Sequence, residues 1–359
     1  MGKKIIFSAG GTGGHILPAI NLMQHFFDKG YDVLLVTDKR GNSFIEDNLK
    51  FKTYILNAQS PTGKNLFEKF LSIFVILYSI IQSIFILKKE KPDIIFGLGG
   101  YVSFPISFAS KFFNFPLIIY ENNLILGRAN KYLSKLSKKI LLANKVVANL
   151  ATKHKDKICT VGHILDKKLI NYRNFKKDTN KKNFSILILG GSQGAKIFGE
   201  IIPPVIKMLK EKNYEIEINQ QCVTEQKNSI TDFYKKNNIK NYVFEFEKNI
   251  LELILSSDLA ITRCGASSTA ELVYALTPFI AVPLPNSIDN HQYLNANYYK
   301  DKGYCSILEQ DNFNTKSLLN LLVENIRDKN KLETIRENMK KERSEDVYNN
   351  IEKEIKEFI

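Results

Sequence analysis

Two glycine-rich turns in this sequence combine the residue types that bind phosphate groups. The first reads Gly10-Gly11-Thr12-Gly13-Gly14, and the second reads Gly190-Gly191-Ser192-Gln193-Gly194. Each follows an apolar, strand-like run and precedes a helix-like one. Glycine lets the backbone approach a ligand closely, and a helix N-terminus offers N–H donors at the positive end of its dipole. Each turn predicts an anion site, and together they predict two α/β lobes with a phosphorylated ligand between them.

His15 directly follows the first turn, on the first residues of the predicted helix. There its ring is expected to face the ligand, as a hydrogen-bond or proton-transfer residue near the anion. The alternative is a histidine that only caps the helix start. A dinucleotide fingerprint beginning at Gly11 requires glycine at position 16, and Ile16 stands there. Asp38 ends the second strand, where an NAD site has its ribose-binding acid. The interpretation as an NAD-dependent enzyme therefore also stays open.

A third cluster, TRCGASSTAE at 262–271, combines another helix start with a carboxylate. The segment 266–275 is predicted to be a helix whose N-terminus is a further anion site. Glu271 lies inside that helix, where its two oxygens can accept hydrogen bonds from a ribose diol. The alternative for Glu271 is simple electrostatic support of the first helical turns. The polar quartet Asp289-Asn290-His291-Gln292 follows a further strand, at the edge where open α/β sheets bind ligands.

Composition indicates a globular chain of two domains with an affinity for anionic surfaces. The 359 residues include 44% hydrophobic and 25% charged residues, and the net charge is +14. Only seven of the 51 basic residues are arginine, the residue that nucleic-acid readers use for bidentate contacts. We therefore expect attraction to anionic membranes or phosphates and no nucleic-acid partner.

Cysteine usage and the N-terminus point to a reducing compartment. The four cysteines, at positions 159, 222, 264 and 305, are far apart in the sequence. Such spacing favours neither a zinc site nor a disulfide framework, so a cytoplasmic location is expected. The first four residues lead straight into a strand and do not resemble a signal peptide.

Strand-like apolar runs alternate with helix-like stretches in two series. The first series has runs at 3–8, 31–37, 94–96, 117–120 and 140–142, and the second at 185–189, 214–219, 242–246, 259–262 and 279–282. Continuous apolar runs are typical of strands buried on both faces of a parallel sheet. The predicted fold class is therefore α/β, with two Rossmann-like lobes. A hydrophilic stretch at 171–183 places the break between them within 160–183, and the tail 315–359 is predicted to be helical.

The segment 70–87 is almost wholly apolar and is flanked by Lys64 and Lys69 before it and Lys88 and Lys89 after it. Its length is at the lower limit for crossing a bilayer. Three interpretations stay open: a transmembrane helix, a buried crossover helix, or a helix whose outer face rests on a membrane with its lysines on anionic headgroups.

Several motifs together, in their order along the chain, resemble those of a known family. They are Gly10-Gly11-Thr12-Gly13-Gly14-His15 with Pro18 and Ala19, Gly97-x-Gly99-Gly100-Tyr101-Val102-Ser103, Glu121-x-Asn123, Gly190-Gly191-Ser192-Gln193-Gly194-Ala195, Arg263-x-Gly265-Ala266 and Asp289-Asn290-His291-Gln292. This set is similar to that of the MurG family, within glycosyltransferase family 28. The resemblance covers nearly the whole chain.

The resemblance implies the GT-B fold, with two Rossmann-like lobes facing a central crevice. It implies transfer of N-acetylglucosamine from UDP-GlcNAc to an undecaprenyl-linked muramoyl-pentapeptide pyrophosphate (lipid I) in peptidoglycan synthesis. The alternative is another GT-B glycosyltransferase that uses a nucleotide-sugar. The expected location is peripheral, on the cytoplasmic face of the cell membrane. The expected domains are an acceptor and membrane domain at 1–161, a UDP-GlcNAc domain at 162–342, and a last helix at 343–359 that packs back on the first domain.

The resemblance also implies the site residues. Those expected to bind UDP-GlcNAc are Thr12, Gly13, Gly14, Asn123, Ser192, Ile250, Ala266, Ser267, Ser268, Thr269, Glu271, His291 and Gln292. The mechanism implied is a single inverting displacement without a metal or other cofactor, in which helix N-termini stabilise the departing diphosphate. His15 is the first candidate for the general base that deprotonates the acceptor, and Glu121 is the second.

The sequence departs from the family pattern in one region. Where the family has Gly-Asn-Pro-Val-Arg, this chain has Gly162-His163-Ile164-Leu165-Asp166, so the proline and the phosphate-reaching arginine are both missing. Tyr120 replaces a histidine and Asn122 replaces a glutamine. A carboxylate at position 166 repels a diphosphate, so the departures indicate a divergent member of the family.

Overall fold

The computed structural model describes residues 2–45, 51–57, 66–150, 152–172, 182–191, 194–343 and 346–359, with the side chains of 66–70 and 152–154 excepted. The chain forms two compact units: Met1–Asp166 together with Ser344–Ile359, and Lys167–Arg343. Each unit has its own parallel sheet covered by helices, so the expected pair of α/β lobes is confirmed.

The described part of the first unit contains a parallel sheet of seven strands in the order β3-β2-β1-β4-β5-β6-β7. The strands are β1 Lys4–Ala9, β2 Asp32–Thr37, β3 Lys52–Ile55, β4 Ile94–Gly99, β5 Leu117–Glu121, β6 Lys139–Leu142 and β7 Ile158–Thr160. The order reverses between β1 and β4, because β2 and β3 extend to one side and β5 to β7 to the other. This reversal is a topological switch point, where open α/β sheets bind their ligands.

The helices of the first unit cover both faces of that sheet. They are α1 Gly13–Asp28, α2 Lys39–Asn42, α3 Leu66–Glu90, α4 Ser103–Ala109, α5 Arg128–Leu133 and, from the end of the chain, α14 Val347–Ile355. Every residue of β4 and β5 is buried. This explains the unbroken apolar runs at 94–96 and 117–120, since a strand covered on both faces gains from apolar side chains pointing to either face.

Helix α3 is the crossover between β3 and β4, but the part of the chain that the structure describes leaves its apolar face exposed. Ser72, Ser79 and Ser83 are fully buried, and the Ser83 hydroxyl donates to the Ser79 carbonyl at 2.7 Å. The residues on its outer side are large and exposed, namely Leu71, Ile73, Phe74, Leu77, Tyr78, Ile81 and Phe85. The helix thus has small polar residues inside and apolar ones outside, the reverse of an ordinary surface helix.

Residues 71–90 of α3 are long and apolar enough to cross a membrane by length and composition, with a mean hydropathy of 2.1 and only 28% of the stretch buried. The interpretation of a buried core helix is therefore wrong about its burial, although the helix does occupy the crossover position.

The C-terminal helix α14 lies against the first unit. The Tyr348 hydroxyl donates to the Leu165 carbonyl at 2.6 Å, and the His25 ring lies 4.6 Å from the Tyr348 ring. His25 also contacts the Glu352 carboxylate. These contacts join α14 to α1 and to the segment that follows β7.

The described part of the second unit contains a parallel sheet of six strands in the order β10-β9-β8-β11-β12-β13. The strands are β8 Phe184–Leu189, β9 Ile216–Gln221, β10 Lys240–Phe244, β11 Leu259–Thr262, β12 Phe279–Ala281 and β13 Cys305–Ile307. The helices are α6 Lys167–Asn171, α7 Lys196–Glu211, α8 Lys227–Lys236, α9 Ile250–Ser256, α10 Ala266–Tyr274, α11 His291–Asp301, α12 Thr315–Arg327 and α13 Lys329–Lys340. Its switch point lies between β8 and β11.

Candidate active site

The first glycine turn lies at the switch point of the first unit, between the end of β1 and the start of α1. Thr12 is the N-cap residue of α1 and makes no side-chain capping hydrogen bond. Gly13 and Gly14 are the first two residues of the helix. The predicted residues Thr12, Gly13 and Gly14 therefore form one helix N-terminus, the arrangement that binds anions through backbone N–H groups.

Asp38 holds this turn in place. Its Oδ1 atom accepts hydrogen bonds from the backbone N–H groups of Gly11, at 3.1 Å, and of Gly41, at 2.6 Å. The carboxylate that an NAD enzyme would use for ribose is thus occupied in joining two loops of the protein. Its role here is to preorganise the turn.

His15 is the third residue of α1 and contacts the end of β4. Its Nδ1 atom lies 3.0 Å from the carbonyl oxygen of Leu98. A carbonyl oxygen can only accept, so Nδ1 carries the proton of this bond and the neutral ring has its lone pair on Nε2. This is the tautomer required of a base acting through Nε2.

Glu121, the second candidate base, is enclosed by donors. It is only 2% exposed. One carboxylate oxygen accepts from the backbone and side-chain N–H groups of Asn123, at 3.0 and 3.1 Å. The other accepts from the Gly127 backbone and the Asn130 side chain, both at 2.9 Å. Four donors fix this carboxylate, and it in turn fixes the loop that carries Asn123.

The departures from the family pattern contact one another. The Tyr120 hydroxyl accepts from the Ile164 backbone N–H at 3.2 Å and lies 3.1 Å from the Gly162 carbonyl. The His163 ring reaches the side-chain oxygen of Asn122 at 2.8 Å. A proline at position 164 has no N–H to donate, so the change to isoleucine and the tyrosine hydroxyl belong together.

In the second unit, the glycine turn after β8 lies at the switch point. An ideal Cβ on Gly190 comes within 2.4 Å of the Ala195 backbone nitrogen, so any side chain there would push the turn apart. The predicted residue Ser192, with Gln193, lies outside the described residues.

The turn between β11 and α10 is held by side chains of α11. The Gln292 side-chain oxygen accepts from the backbone N–H groups of Cys264, at 3.1 Å, and Leu284, at 3.0 Å. The Asn295 amide donates to the Cys264 carbonyl at 3.0 Å. Since the Gln292 oxygen is used in this way, the amide group left for a ligand is its NH₂ donor.

Arg263 is a buried cation beside the same turn. Its guanidinium donates to the carbonyls of Val282 and Pro283, at 3.1 and 3.2 Å, and to the Gln310 side chain at 2.6 Å. Burial lowers the pKa of this group. Pro283 and Gln310 also line a cavity of about 260 Å³. Arg263 therefore holds two residues of the cavity wall in place through its hydrogen bonds.

Helix α10 carries five of the predicted donor-site residues. They are Ala266, Ser267, Ser268, Thr269 and Glu271. Its N-cap residue, Gly265, offers no side chain for capping. Ser267, Ser268 and Glu271 are half-buried, whereas the Thr269 hydroxyl is buried and donates back to the helix, 2.9 Å from the Gly265 carbonyl. The Thr269 hydroxyl is therefore used within the helix.

The remaining predicted residues of the second unit lie after two other strands of the same sheet, β10 and β12. His291 begins α11, and its Nδ1 atom lies 2.8 Å from the Ile288 carbonyl. Ile250 begins α9, which follows β10, and is half-buried. Residues after β8, β10, β11 and β12 thus share the carboxyl edge of one parallel sheet, where ligands bind.

Two groups that support this site could not be identified from the sequence: the Leu98 carbonyl and the Asn295 side chain. The Leu98 carbonyl has no side-chain signature, because it acts through its backbone. Asn295 is one of several polar residues of α11 and does not stand out among them in the sequence. Its contact with Cys264 arises only from tertiary packing.

Two parallel sheets, each with a glycine turn and an uncapped helix N-terminus at its switch point, define a Rossmann-like α/β protein of the GT-B class. The glycosyltransferase family 28 N-terminal domain matches residues 5–142, and the family 28 C-terminal domain matches residues 185–351. The chain belongs to glycosyltransferase family 28 and is a glycosyltransferase. The alternative of an NAD-dependent oxidoreductase is wrong.

Individual relatives agree over the full length. A protein of Pelagibacter ubique, named UDP-N-acetylglucosamine–N-acetylmuramyl-(pentapeptide) pyrophosphoryl-undecaprenol N-acetylglucosamine transferase, is 36% identical over 98% of this chain and 97% of its own. The crystal structure of Acinetobacter baumannii MurG has a TM-score of 0.78 at 24% identity, with 99% of each chain covered. A UDP-N-acetylglucosamine 2-epimerase shares the fold at 11% identity, with a TM-score of 0.63 and coverage of 94% and 91%.

Proposed function

We propose that this chain transfers N-acetylglucosamine from UDP-GlcNAc to the muramoyl sugar of an undecaprenyl-linked pentapeptide pyrophosphate, at the surface of the membrane that holds this lipid. The observation that carries the proposal is the likeness, at 36% identity over nearly the whole chain, to a transferase of that name. The fold alone does not choose this reaction, since an epimerase has the same fold.

The donor binds the second unit in this proposal. The diphosphate lies at the N-terminus of α10, where backbone donors and the helix dipole meet its charge. The Glu271 carboxylate accepts from the ribose diol, and the Gln292 NH₂ group donates to the sugar. Arg263 adds a buried positive charge near the same turn, which favours an anion there.

The reaction is a single displacement at the anomeric carbon. The acceptor oxygen forms a new bond to the anomeric carbon. At the same time the bond between the anomeric carbon and the phosphate oxygen breaks, and UDP leaves with the electron pair of that bond. The proton of the acceptor hydroxyl passes to His15 Nε2, the nitrogen that the Leu98 contact leaves as the basic one. Attack opposite the leaving group inverts the anomeric configuration.

The membrane is approached through α3. Its exposed apolar side chains continue to Phe112, which is 62% exposed beside the exposed Lys111. Lys88 and Lys89 are exposed at the end of the helix. An apolar face rimmed by lysines fits a peripheral helix that inserts its side chains among anionic headgroups.

The test is a transfer assay with labelled UDP-GlcNAc and a short-chain analogue of the lipid acceptor. The wild-type chain is expected to move label into the acceptor. Glu271→Ala should raise the donor KM about 10- to 100-fold, because two hydrogen bonds to a charged acceptor contribute about 1.5–3 kcal/mol. Glu211→Ala removes the same charge from the exposed end of α7 and serves as the matched control. Absence of labelled acceptor with the wild-type chain would contradict the proposal.

A further inference from the structure

The pairing of β1 with β4 contains an irregularity beside His15. Ser8 lies opposite Gly97, whereas the next residue, Ala9, lies opposite Gly99, so the register shifts by one residue. Leu98 is therefore the extra residue of a β-bulge and has no partner in this ladder. On its other side, the pairing of β4 with β5 ends at Gly97. Bulges of this kind release a peptide group from the ladder and redirect it.

The released carbonyl of Leu98 is the group that His15 contacts, at 3.0 Å from Nδ1. Leu98 itself is 2% exposed, so the accepting end of the bond is buried, while the His15 ring is half-buried. An acceptor that is fixed by the backbone and cannot donate selects one tautomer of the ring. The bulge thus holds the proton on Nδ1 and leaves Nε2 basic, as a carboxylate does for a catalytic histidine in other enzymes.

Gly99 provides the space in which the ring lies. An ideal Cβ on Gly99 falls 2.7 Å from His15 Nδ1 and 2.8 Å from Cε1. Real Cβ atoms do not come this close to a ring, so any side chain at this position moves the imidazole away from the Leu98 carbonyl. The backbone of Gly99 is also in the left-handed region, with φ of +103°.

We infer that the Leu98 bulge carbonyl and the bare Cα of Gly99 form a seat that positions the His15 ring in the Nδ1–H tautomer. Gly99 and Leu98 are positioning residues in this inference, because their contacts with the site run through His15. This inference rests on the proposed function only for its effect on turnover. The tautomer itself is a property of the protein without substrates.

The first experiment reads the tautomer directly in the wild-type chain. Two-bond ¹⁵N–¹H correlation spectra distinguish a protonated Nδ1 from a protonated Nε2 in each of the five histidines. The His15 signals are assigned by their loss in His15→Gln. Protonation at Nδ1 is expected, and a neutral ring protonated at Nε2 would overturn the inference.

The second experiment adds a methyl group to the seat. Gly99→Ala should lower kcat about 100-fold, the effect of a displacement of about 1 Å at a reacting group, and should shift the His15 proton toward Nε2. The donor KM should stay within about twofold, because the residues proposed to hold the diphosphate and ribose of the donor are in the other unit. Gly30→Ala is the matched control, since Gly30 also has a positive φ, +85°, but has no atom within 4 Å of its ideal Cβ.

The outcomes separate the inference from the proposed function. If Gly99→Ala has the same turnover and tautomer as Gly30→Ala, the seat does not position the ring. If His15→Ala keeps wild-type turnover while the wild-type ring is protonated at Nδ1, the seat stands and the role of His15 as the base fails.

Discussion

At the scale of single residues, the two candidate bases differ in how their polar atoms are used. His15 has one nitrogen fixed by a carbonyl, which defines the basic one. Glu121 has both oxygens engaged by four donors within its own loop. Both oxygens of this buried carboxylate are committed to holding its own loop. We therefore propose His15 as the base, with Glu121 holding the loop that carries Asn123.

Glu121→Gln tests this division. An amide replaces one acceptor oxygen by a donor, so two of the four N–H groups lose their partner in a buried loop. The expected loss in the free energy of unfolding is about 1.5–3 kcal/mol, measured by urea denaturation. Glu225→Gln, at a glutamate exposed on the second unit, is the control and should change stability by less than about 0.5 kcal/mol. A Glu121→Gln chain of wild-type stability that has lost its turnover would restore Glu121 as a base.

At the scale of elements, the segment after β7 has a different anchor from the one that the family pattern implies. The hydroxyl of the buried Tyr120 supplies an acceptor for the Ile164 N–H, which a proline in that place would lack. The departures at Tyr120, Asn122 and His163 appear independent in the sequence but belong to one hydrogen-bonded group. The side-chain oxygen of Asn122 contacts both the His163 ring and the Tyr120 hydroxyl.

Tyr120→Phe should remove this anchor. The buried Ile164 N–H then lacks its acceptor, at an expected cost of about 1–3 kcal/mol in the free energy of unfolding. Tyr132→Phe is the matched control, because Tyr132 is 65% exposed in the same unit. Equal urea midpoints for the two variants would show that the hydroxyl does not hold the segment.

A second element-scale feature is the carboxylate at the end of α3. Glu90 accepts from Lys52 at 2.5 Å, Tyr54 at 2.7 Å and Lys4 at 3.0 Å, and so joins α3 to β3 and β1. Burial alone would raise the pKa of Glu90, but these bonds outweigh it and lower the pKa to about 2.

This shift makes a pH-dependent contribution to stability. A carboxyl whose pKa is lower in the folded chain stabilises it fully above the unfolded pKa of 4.5, and that contribution is lost as the pH falls toward about 2. Glu90→Gln should be less stable than the wild type at pH 7, and the difference should shrink between pH 5 and pH 2. Urea denaturation across this range measures it, and a constant difference would contradict the assignment.

At the scale of the whole molecule, the exposed apolar face of α3 predicts a soluble protein that binds anionic vesicles and is released by salt. Phe85→Glu should weaken vesicle binding tenfold or more, because burial of a phenylalanine contributes about 1.5–3 kcal/mol. Phe246→Glu is the control, with 65% exposure in the second unit against 68% for Phe85. Equal vesicle binding by both variants in a sedimentation assay would rule out α3 as the membrane face.

The sequence predicted the fold where local signals were strong. The apolar run at 94–96 and the glycine turns identified β4 and both switch points. The edge strands β3, β7 and β13 were missed, because segments such as Lys52–Ile55 and Cys305–Ile307 are short and depend on one neighbouring strand. The boundaries predicted at 214–219 and 242–246 are each displaced by two residues along the chain from those of β9 and β10. The reason is that apolar residues also lie just outside the ends of these strands.

The site was predictable in its residue types but not in its geometry. The positions of His15, Glu121 and Gln292 could be named from the motifs. Their roles depend on partners distant in the sequence, such as the Leu98 carbonyl for His15 and the Cys264 N–H for Gln292. A β-bulge has no residue signature in this chain, because it arises from the pairing register of two strands.

The central claim is that the chain couples cleavage of UDP-GlcNAc to glycosylation of a lipid-linked acceptor. The most direct measurement is the ratio of UDP released to acceptor glycosylated, taken with and without the acceptor. The account predicts one UDP for each acceptor glycosylated and no UDP release when the acceptor is absent. UDP release without acceptor, as expected of a hydrolase, or conversion of UDP-GlcNAc into an isomeric UDP-sugar, as expected of an epimerase with this fold, would contradict it.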